Sequence, residues 1–286
     1  ALYSLFPLII NKSSKSKDHI IFAGVSIFLA GVYFFFHLLF TKQFKALINK
    51  QTLLYSLGVT IFIIILPALF IFNGTKYTTG INTTIFLQTE ILAAFIICGA
   101  FLKEKITPKK ILGSALIILG ASTVLYNGEF KLNFGDLMII AGASIYPIGN
   151  IFAKKALQTS PPEVILFIRS ILGGLVLIAL SVIFEKSLSH QPVNQIINNY
   201  PYIIANGIII FAISKMLWYR GLKLLDVSKA TTLSMSYPAI SLLLAVIFLK
   251  ERPTIYQLLG LIIIMSGIYL TVHKSKKLSE IAEISP

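Results

Sequence analysis

The sequence predicts an all-α integral membrane protein with ten transmembrane helices. These are expected to form two inverted five-helix repeats, the first helix being truncated at its N-terminus. The 286-residue chain is 56% apolar and only 13% charged, with a mean hydropathy of +0.84, which is far from the composition of a soluble domain. Residues 72–126 also align without a gap on residues 219–273, which indicates an internal duplication.

The duplicated segments agree best around one charged tetrapeptide. The run Phe-Leu-Lys-Glu stands at 101–104 and again at 248–251, in both cases at the end of an apolar stretch. Matched glycines such as Gly74 and Gly221 keep the same register. We therefore predict a first repeat at 1–127, a second repeat at 134–274 and a cytoplasmic tail at 275–286.

The spans follow in order from apolar runs of about 18–23 residues, each able to cross about 30 Å of hydrocarbon. The first, at 1–11, is too short to cross, and its likeness to residues 145–154 leads us to expect that its beginning is missing. The others lie at 20–41, 53–75, 80–102, 107–126, 135–156, 163–184, 201–222, 228–249 and 254–273.

The connecting segments predict the orientation. Alternate connectors carry roughly twice as many lysines and arginines as the others, and an excess of these residues marks the cytoplasmic side. This places both termini in the cytoplasm. Because five spans per repeat is an odd number, the second repeat must cross in the opposite direction to the first. Repeats of this kind place a ligand site near the middle of the bilayer, between the halves.

Several classes of function are disfavoured by composition. The net charge of +14 comes from small basic groups between apolar runs, which is typical of loops beside a lipid bilayer and not of a nucleic-acid interface. The four histidines have no metal-ligand spacing, and a single cysteine forms no intrachain disulfide. The chain contains no phosphate-binding glycine loop and no nucleophile–base motif. We expect no metal, no cofactor, no nucleic-acid partner and no enzymatic activity.

Two five-helix halves that each contain an FLKE motif resemble the EamA-like group of the drug/metabolite transporter superfamily. The runs at 236–251 (SYPAISLLLAVIFLKE) and 168–180 (IRSILGGLVLIAL) are similar to motifs of that group. The resemblance implies a multi-pass carrier of the inner membrane, often an exporter of amino acids, related metabolites or toxic compounds. It also allows a homodimer through the fifth and tenth helices.

Three charged residues lie deeper than the terminal turns of predicted spans, where an ionisable group is costly and indicates function by default. Glu90, near the centre of the fourth span, is either a substrate or proton site or a buried acid bonded to its neighbours. Lys215, in the eighth span, is either a substrate contact or the structural partner of Glu90 or of a helix carboxyl end. Arg169, at a position that the family often fills with arginine, is expected to be a gating or structural charge.

Other candidate substrate contacts share helical faces with polar or small residues; they are Phe86, Tyr146, Asn150, Trp218, Ser234 and Tyr237. We expect Trp218 and Tyr219 to belong to an aromatic belt at the membrane interface, with a ligand clamp as the alternative. Glycines allow close approach of helices. This role is expected for Gly142 and Gly149 in the sixth span and for four glycines of the fifth and tenth spans, Gly113, Gly120, Gly260 and Gly267.

The charges predict the class of solute. Glu90 belongs to the first half and both bases belong to the second, so a zwitterion such as an amino acid could satisfy opposite charges across the interface between the halves. Two alternatives stay open. An antiporter of phosphorylated or nucleotide-linked anions would need several cations at the centre. A membrane-embedded binding or assembly protein would hold its ligand without moving it.

Overall fold

The computed structural model describes residues 2–14, 19–101, 108–126, 133–184, 200–224 and 237–272, and all regular structure in these ranges is helical. The α-helices, numbered in chain order, are α1 (Phe6–Ser14), α2 (His19–Thr41), α3 (Lys50–Val59), α4 (Leu66–Gly74), α5 (Gly80–Phe86), α6 (Thr89–Phe101), α7 (Pro108–Tyr126), α8 (Phe134–Thr159), α9 (Pro162–Phe184), α10 (Tyr200–Ile204), α11 (Lys215–Leu224), α12 (Tyr237–Leu249) and α13 (Ile255–Val272). A 3-10 turn, Leu2–Leu5, precedes α1, and a second one, Phe44–Ile48, lies between α2 and α3.

Five helical stretches in the described ranges are long and apolar enough to cross a membrane; they are Ile20–Thr41, Lys50–Gly74, Phe134–Thr159, Pro162–Ile183 and Tyr200–Leu224. Each has 22 to 26 residues, sufficient at about 1.5 Å per residue for a hydrocarbon core of about 30 Å. Shorter apolar helices lie at Leu2–Asn11, Ile111–Val124, Ile240–Leu249 and Ile255–Leu270. The predicted all-helical membrane class is therefore confirmed.

Large apolar side chains cover the outside of these helices. More than half of the surface is exposed for Phe36, Phe40, Leu54, Ile118 and Ile262. Water-soluble proteins rarely leave so much apolar surface uncovered. In a bilayer the acyl chains cover it, and helices suit this setting because they satisfy their own backbone hydrogen bonds.

The fourth span differs from its prediction because it is two helices and not one. It is interrupted after Phe86 and resumes at Thr89. At the interruption the amide of Gln88 donates to the oxygen of Ile85, and the amide of Ile91 donates to that of Gln88, both at 3.0 Å. These bonds span three residues and not four. Side chains in the threonine-rich segment also donate to nearby carbonyl oxygens, and such bonds compete with a regular helix.

The third and eighth spans contain π-helical turns that hydropathy does not reveal. Thr60–Ile65 joins α3 to α4, and Ala205–Ser214 joins α10 to α11. Helix α9 packs on the first segment, as α8 does, and helix α2 packs on the second. Helices α2 and α9 also pack along each other. π-helical turns are rare and are frequently found at functional sites.

Helices α7 and α13 pack closely through glycine, as the sequence predicts. A methyl group added to Gly120 would lie 2.7 Å from the carbonyl oxygen of Gly260, and one added to Gly260 would lie 2.7 Å from that of Gly120. A methyl group on Gly267 would similarly lie 2.6 Å from the oxygen of Gly113. These glycines therefore mediate packing within one chain, between the fifth span and the tenth.

Helix α8 packs its glycine face against the third span. A Cβ atom at Gly142 would lie 2.8 Å from Ile71, and one at Gly149 would overlap Ile63. The expected close approach is thus confirmed, and it leaves a second face of α8 free to meet other helices. The residue next to Gly149, Asn150, lies on that second face.

One charged motif links the two halves at the end of α12. Lys250 follows the helix in the left-handed conformation, with φ of 55°, and directs the chain back towards α5. The carboxylate of Glu251 then accepts hydrogen bonds from the amides of Gly80 at 2.8 Å and Ile81 at 2.9 Å. The second FLKE motif therefore caps the first turn of a helix from the other half. The charged pair of the first FLKE motif lies outside the described residues.

Candidate functional site

Glu90 lies where the fourth span is broken. It belongs to the first turn of α6, and its side chain is partly exposed. Helix α6 packs along α8, so that Nδ2 of Asn150 donates to Oε1 of Glu90 at 3.3 Å. Tyr146 lies one helical turn before Asn150 on the same face and interacts electrostatically with the Glu90 carboxylate. The structure thus joins three of the predicted site residues.

Lys215 lies directly after the π-helical segment of the eighth span, as the first residue of α11. Its Nζ atom is 4.0 Å from the centre of the Tyr3 ring, which is a cation–π contact. Tyr3 stacks on Phe6, with 5.1 Å between ring centres. The Tyr3 side chain is also hydrogen-bonded to Tyr146. The N-terminal segment therefore contacts both Lys215 and the face of α8 that meets Glu90.

Glu90 and Lys215 interact electrostatically. Neither of these two described side chains forms an ion pair within 4.0 Å, in contrast to Arg220 and Glu163, whose atoms are 3.0 Å apart. Glu90 bonds to Asn150, and Lys215 contacts the Tyr3 ring. Both charged side chains are partly exposed. This arrangement differs from a closed buried salt bridge, in which each charge is the other's partner.

Arg169 is fully buried and belongs to the same cluster. Its Nη1 donates to the hydroxyl of Tyr219 at 3.3 Å, and its guanidinium carbon is 5.0 Å from the centre of that ring. It interacts electrostatically with Lys215 and Tyr146. Because Tyr219 lies one helical turn after Lys215, helix α11 presents both contacts. We refer to Tyr3, Glu90, Tyr146, Asn150, Arg169, Lys215 and Tyr219 as the polar cluster.

Two other predicted site residues belong to the hydrophobic core, and two lie wholly or partly outside the described residues. Phe86 is fully buried in that core, and the break in the fourth span lies between it and Glu90. Trp218 is partly buried and packs against the same core. Ser234 lies outside the described residues. Tyr237 begins α12, and its side chain lies outside the described part of the structure.

Two tyrosines of the polar cluster were absent from the predicted site. Tyr219 was expected in an interfacial belt, which is wrong: it is 1% exposed because its ring and hydroxyl contact Arg169. Its spacing of one helical turn from Lys215 was the available signal. Tyr3 aligns with Tyr146 when the short first span is laid over residues 145–154, so the duplication itself indicated it.

The exposed apolar helices and the polar cluster inside them define an integral membrane protein with an internal charged site. At least five separate stretches of the chain meet at that site, and no soluble domain accompanies them among the described residues. Such a site suits a protein that handles a small polar molecule within the bilayer.

The chain belongs to the EamA-like transporter family, whose sequence profile matches residues 1–126 and 133–273. It is 26% identical over 212 residues to an uncharacterized transporter of Archaeoglobus fulgidus, covering 72% of this chain and 71% of that one. It is 29% identical over 183 residues to a probable amino-acid metabolite efflux pump of Salmonella typhimurium, covering 61% of each chain. The family and these relatives are named as transporters or pumps and not as enzymes, which confirms the expected class.

A solved crystal structure has the same fold. The superposition gives a TM-score of 0.72 at 19% sequence identity and covers 99% of this chain and 95% of the other. At this identity the likeness concerns the fold alone. It extends over nearly the whole chain.

Proposed function

We propose that this protein is a secondary carrier of the inner membrane that exports or exchanges small zwitterionic metabolites, such as amino acids, by alternating access. Both termini are cytoplasmic in this proposal. The solute binds at the polar cluster, between a first and a second half of opposite orientation. The relative named as a probable amino-acid metabolite efflux pump supports this class of solute.

The observation that carries the proposal is the separation of opposite charges at the polar cluster. Glu90 and Lys215 come from different halves and interact electrostatically, with no direct ion pair between them. An ammonium group placed beside Glu90 and a carboxylate placed beside Lys215 would neutralise both charges. A neutral solute would leave each of them in the membrane without an oppositely charged partner, which is costly.

The packing of the described helices supports two halves related by inversion. In the register set by Gly74 and Gly221, the π-helical segment Thr60–Ile65 falls within Ala205–Ser214. In the same register α2 of the first half corresponds to α9 of the second. Helix α9 packs on the first π segment, and α2 packs on the second. Each π segment therefore packs against the corresponding helix of the opposite half. Transport then requires only that the halves rock about the central site.

The two alternatives make different demands on the site. An antiporter of phosphorylated compounds fits two cations, Lys215 and Arg169, but Glu90 in the same cluster repels a phosphate. A binding or assembly protein needs a ligand but no second conformation. The charges of the cluster favour a carrier of zwitterions over a phosphate antiporter. A measurement of transport distinguishes a carrier from a binding protein.

Counterflow in proteoliposomes tests the proposal. Vesicles loaded with an unlabelled neutral or acidic amino acid are expected to take up the labelled amino acid transiently against its concentration gradient. Vesicles loaded with a phosphorylated sugar are the comparison. Counterflow of the phosphorylated sugar without counterflow of an amino acid would contradict the proposal and indicate an anion antiporter. Binding of amino acids without counterflow, measured as an increase in thermal stability, would indicate a binding protein.

A further inference from the structure

Arg169 carries a positive charge that the described residues leave only partly satisfied. It is 0% exposed. Its Nη1 atom donates to Tyr219, whereas Nε and Nη2 have no hydrogen-bond acceptor in the described part of the structure. A tyrosine hydroxyl and an aromatic ring carry no formal negative charge. A buried guanidinium normally has a carboxylate or phosphate as its partner.

The polar cluster contains two bases and one acid. Glu90 faces Asn150 and interacts with Lys215, so Arg169 is the surplus cation. A simple zwitterion brings one ammonium and one carboxylate and would leave this surplus unchanged. A solute with one ammonium and two carboxylates would match the cluster charge for charge.

We propose that Arg169 binds a second carboxylate of the solute, so that the site prefers acidic amino acids over neutral ones. This inference rests on the proposed carrier function and names its substrate class. The solute ammonium binds Glu90, one carboxylate binds Lys215, and the other replaces the Tyr219 hydroxyl as the partner of Arg169. The expected role of Arg169 as a purely structural or gating charge is thereby replaced by a role in specificity.

The two residues of α11 at this site are close enough together for this substrate class. Lys215 and Tyr219, the residue that bonds to Arg169, lie four residues apart on α11, so their Cα atoms are separated by a rise of about 6 Å. The two carboxylates of aspartate and glutamate are separated by a chain of two or three carbon atoms and span a comparable distance. A single carboxylate cannot occupy both ends of this stretch at once. The planar guanidinium can hold a carboxylate through two parallel hydrogen bonds, which a lysine cannot do.

The test compares each acidic amino acid with its own amide, since glutamine and asparagine keep the size of glutamate and aspartate and lose one charge. The affinity of the purified full chain for each is measured by ligand-induced thermal stabilisation. We expect glutamate or aspartate to bind about 10- to 100-fold more tightly than its amide, since a hydrogen-bonded charge pair is lost. Arg169→Gln is expected to abolish this preference, and Arg169→Lys is expected to keep part of it.

The matched control is Arg220→Gln, an exposed arginine paired with Glu163, which is expected to retain the wild-type preference. The affinities for the acid and for its amide are measured on the same sample of each variant, so a partly unfolded fraction does not change their ratio. If Arg169→Gln fails to fold, the acid and amide affinities of the wild type alone test the inference. Equal binding of acids and amides by the wild type, or an unchanged preference in a folded Arg169→Gln, would overturn the inference and leave the carrier proposal standing. Absence of binding by any amino acid would overturn both proposals.

Discussion

Replacing Lys215 by alanine is expected to lower amino-acid counterflow by at least about a hundredfold. The solute carboxylate then loses its charged contact, which is worth about 1.5–3 kcal/mol, and Glu90 is left inside the membrane without an opposite charge, which is costly. Glu90→Ala is expected to have an effect of similar size. The matched control is Lys155→Ala, because Lys155 is exposed and its Nζ atom lies 6.0 Å from the ring centre of Tyr55. That variant is expected to exchange amino acids at the wild-type rate.

Charge reversal separates a solute site from a permanent ion pair. In the variant Glu90→Lys/Lys215→Glu, a pair that merely neutralises itself would be restored. We expect the double variant to remain inactive while inserting and folding normally, because Asn150 and Tyr3 are placed for the original charges. An asparagine amide donor suits a carboxylate and the face of an aromatic ring suits a cation. Recovery of counterflow in the double variant would show that the two charges are structural partners.

Gly149→Ala is expected to lower the free energy of unfolding by about 1–3 kcal/mol. The added methyl group would overlap Ile63 of the first π-helical segment, and overpacking of a well-filled contact has a cost of this size. Gly221→Ala is the matched control, because both glycines are helical and no atom of the described residues lies within 4 Å of a Cβ placed at Gly221. That control is expected to be unchanged or stabilised by up to about 1 kcal/mol through helix propensity.

Both variants can be compared by thermal unfolding in the same detergent. A loss of stability confined to Gly149→Ala would support the close approach of α8 to the third span. Equal stability of the two variants would contradict that packing. Because Asn150 follows Gly149 directly, Gly149→Ala is also expected to displace the amide that bonds to Glu90 and to reduce counterflow.

The helices and much of their packing could be predicted because hydropathy and glycine spacing are local properties of the sequence. Length and apolar composition locate the spans, and small residues mark the faces on which helices approach closely. For this reason the contact between α7 and α13, and the glycine face of α8, agree with their predictions. Glu90 and Lys215 could be selected from the sequence because a charge inside an apolar run is conspicuous.

The break in the fourth span and the surroundings of Arg169 could not be predicted in the same way. The break depends on side-chain bonds to the backbone between Thr83 and Thr89, which compete with a helix whose hydropathy is continuous. The buried position of Tyr219 depends on a residue 50 positions earlier in the chain. An aromatic residue near a helix end has the same local pattern whether it meets lipid or an arginine, so only the three-dimensional arrangement distinguishes the two.

In the proposed carrier, two similar halves cross the membrane in opposite directions and meet around the polar cluster. Cysteine labelling in intact cells tests this arrangement. In a Cys98→Ser background, Lys250→Cys and Lys103→Cys place one reporter in each copy of the FLKE motif. We expect a membrane-impermeant thiol reagent to label the cysteine at 250 from outside and the cysteine at 103 only after permeabilisation. Labelling of both cysteines from the same side would show that the two halves cross the membrane in the same direction, contrary to the proposal.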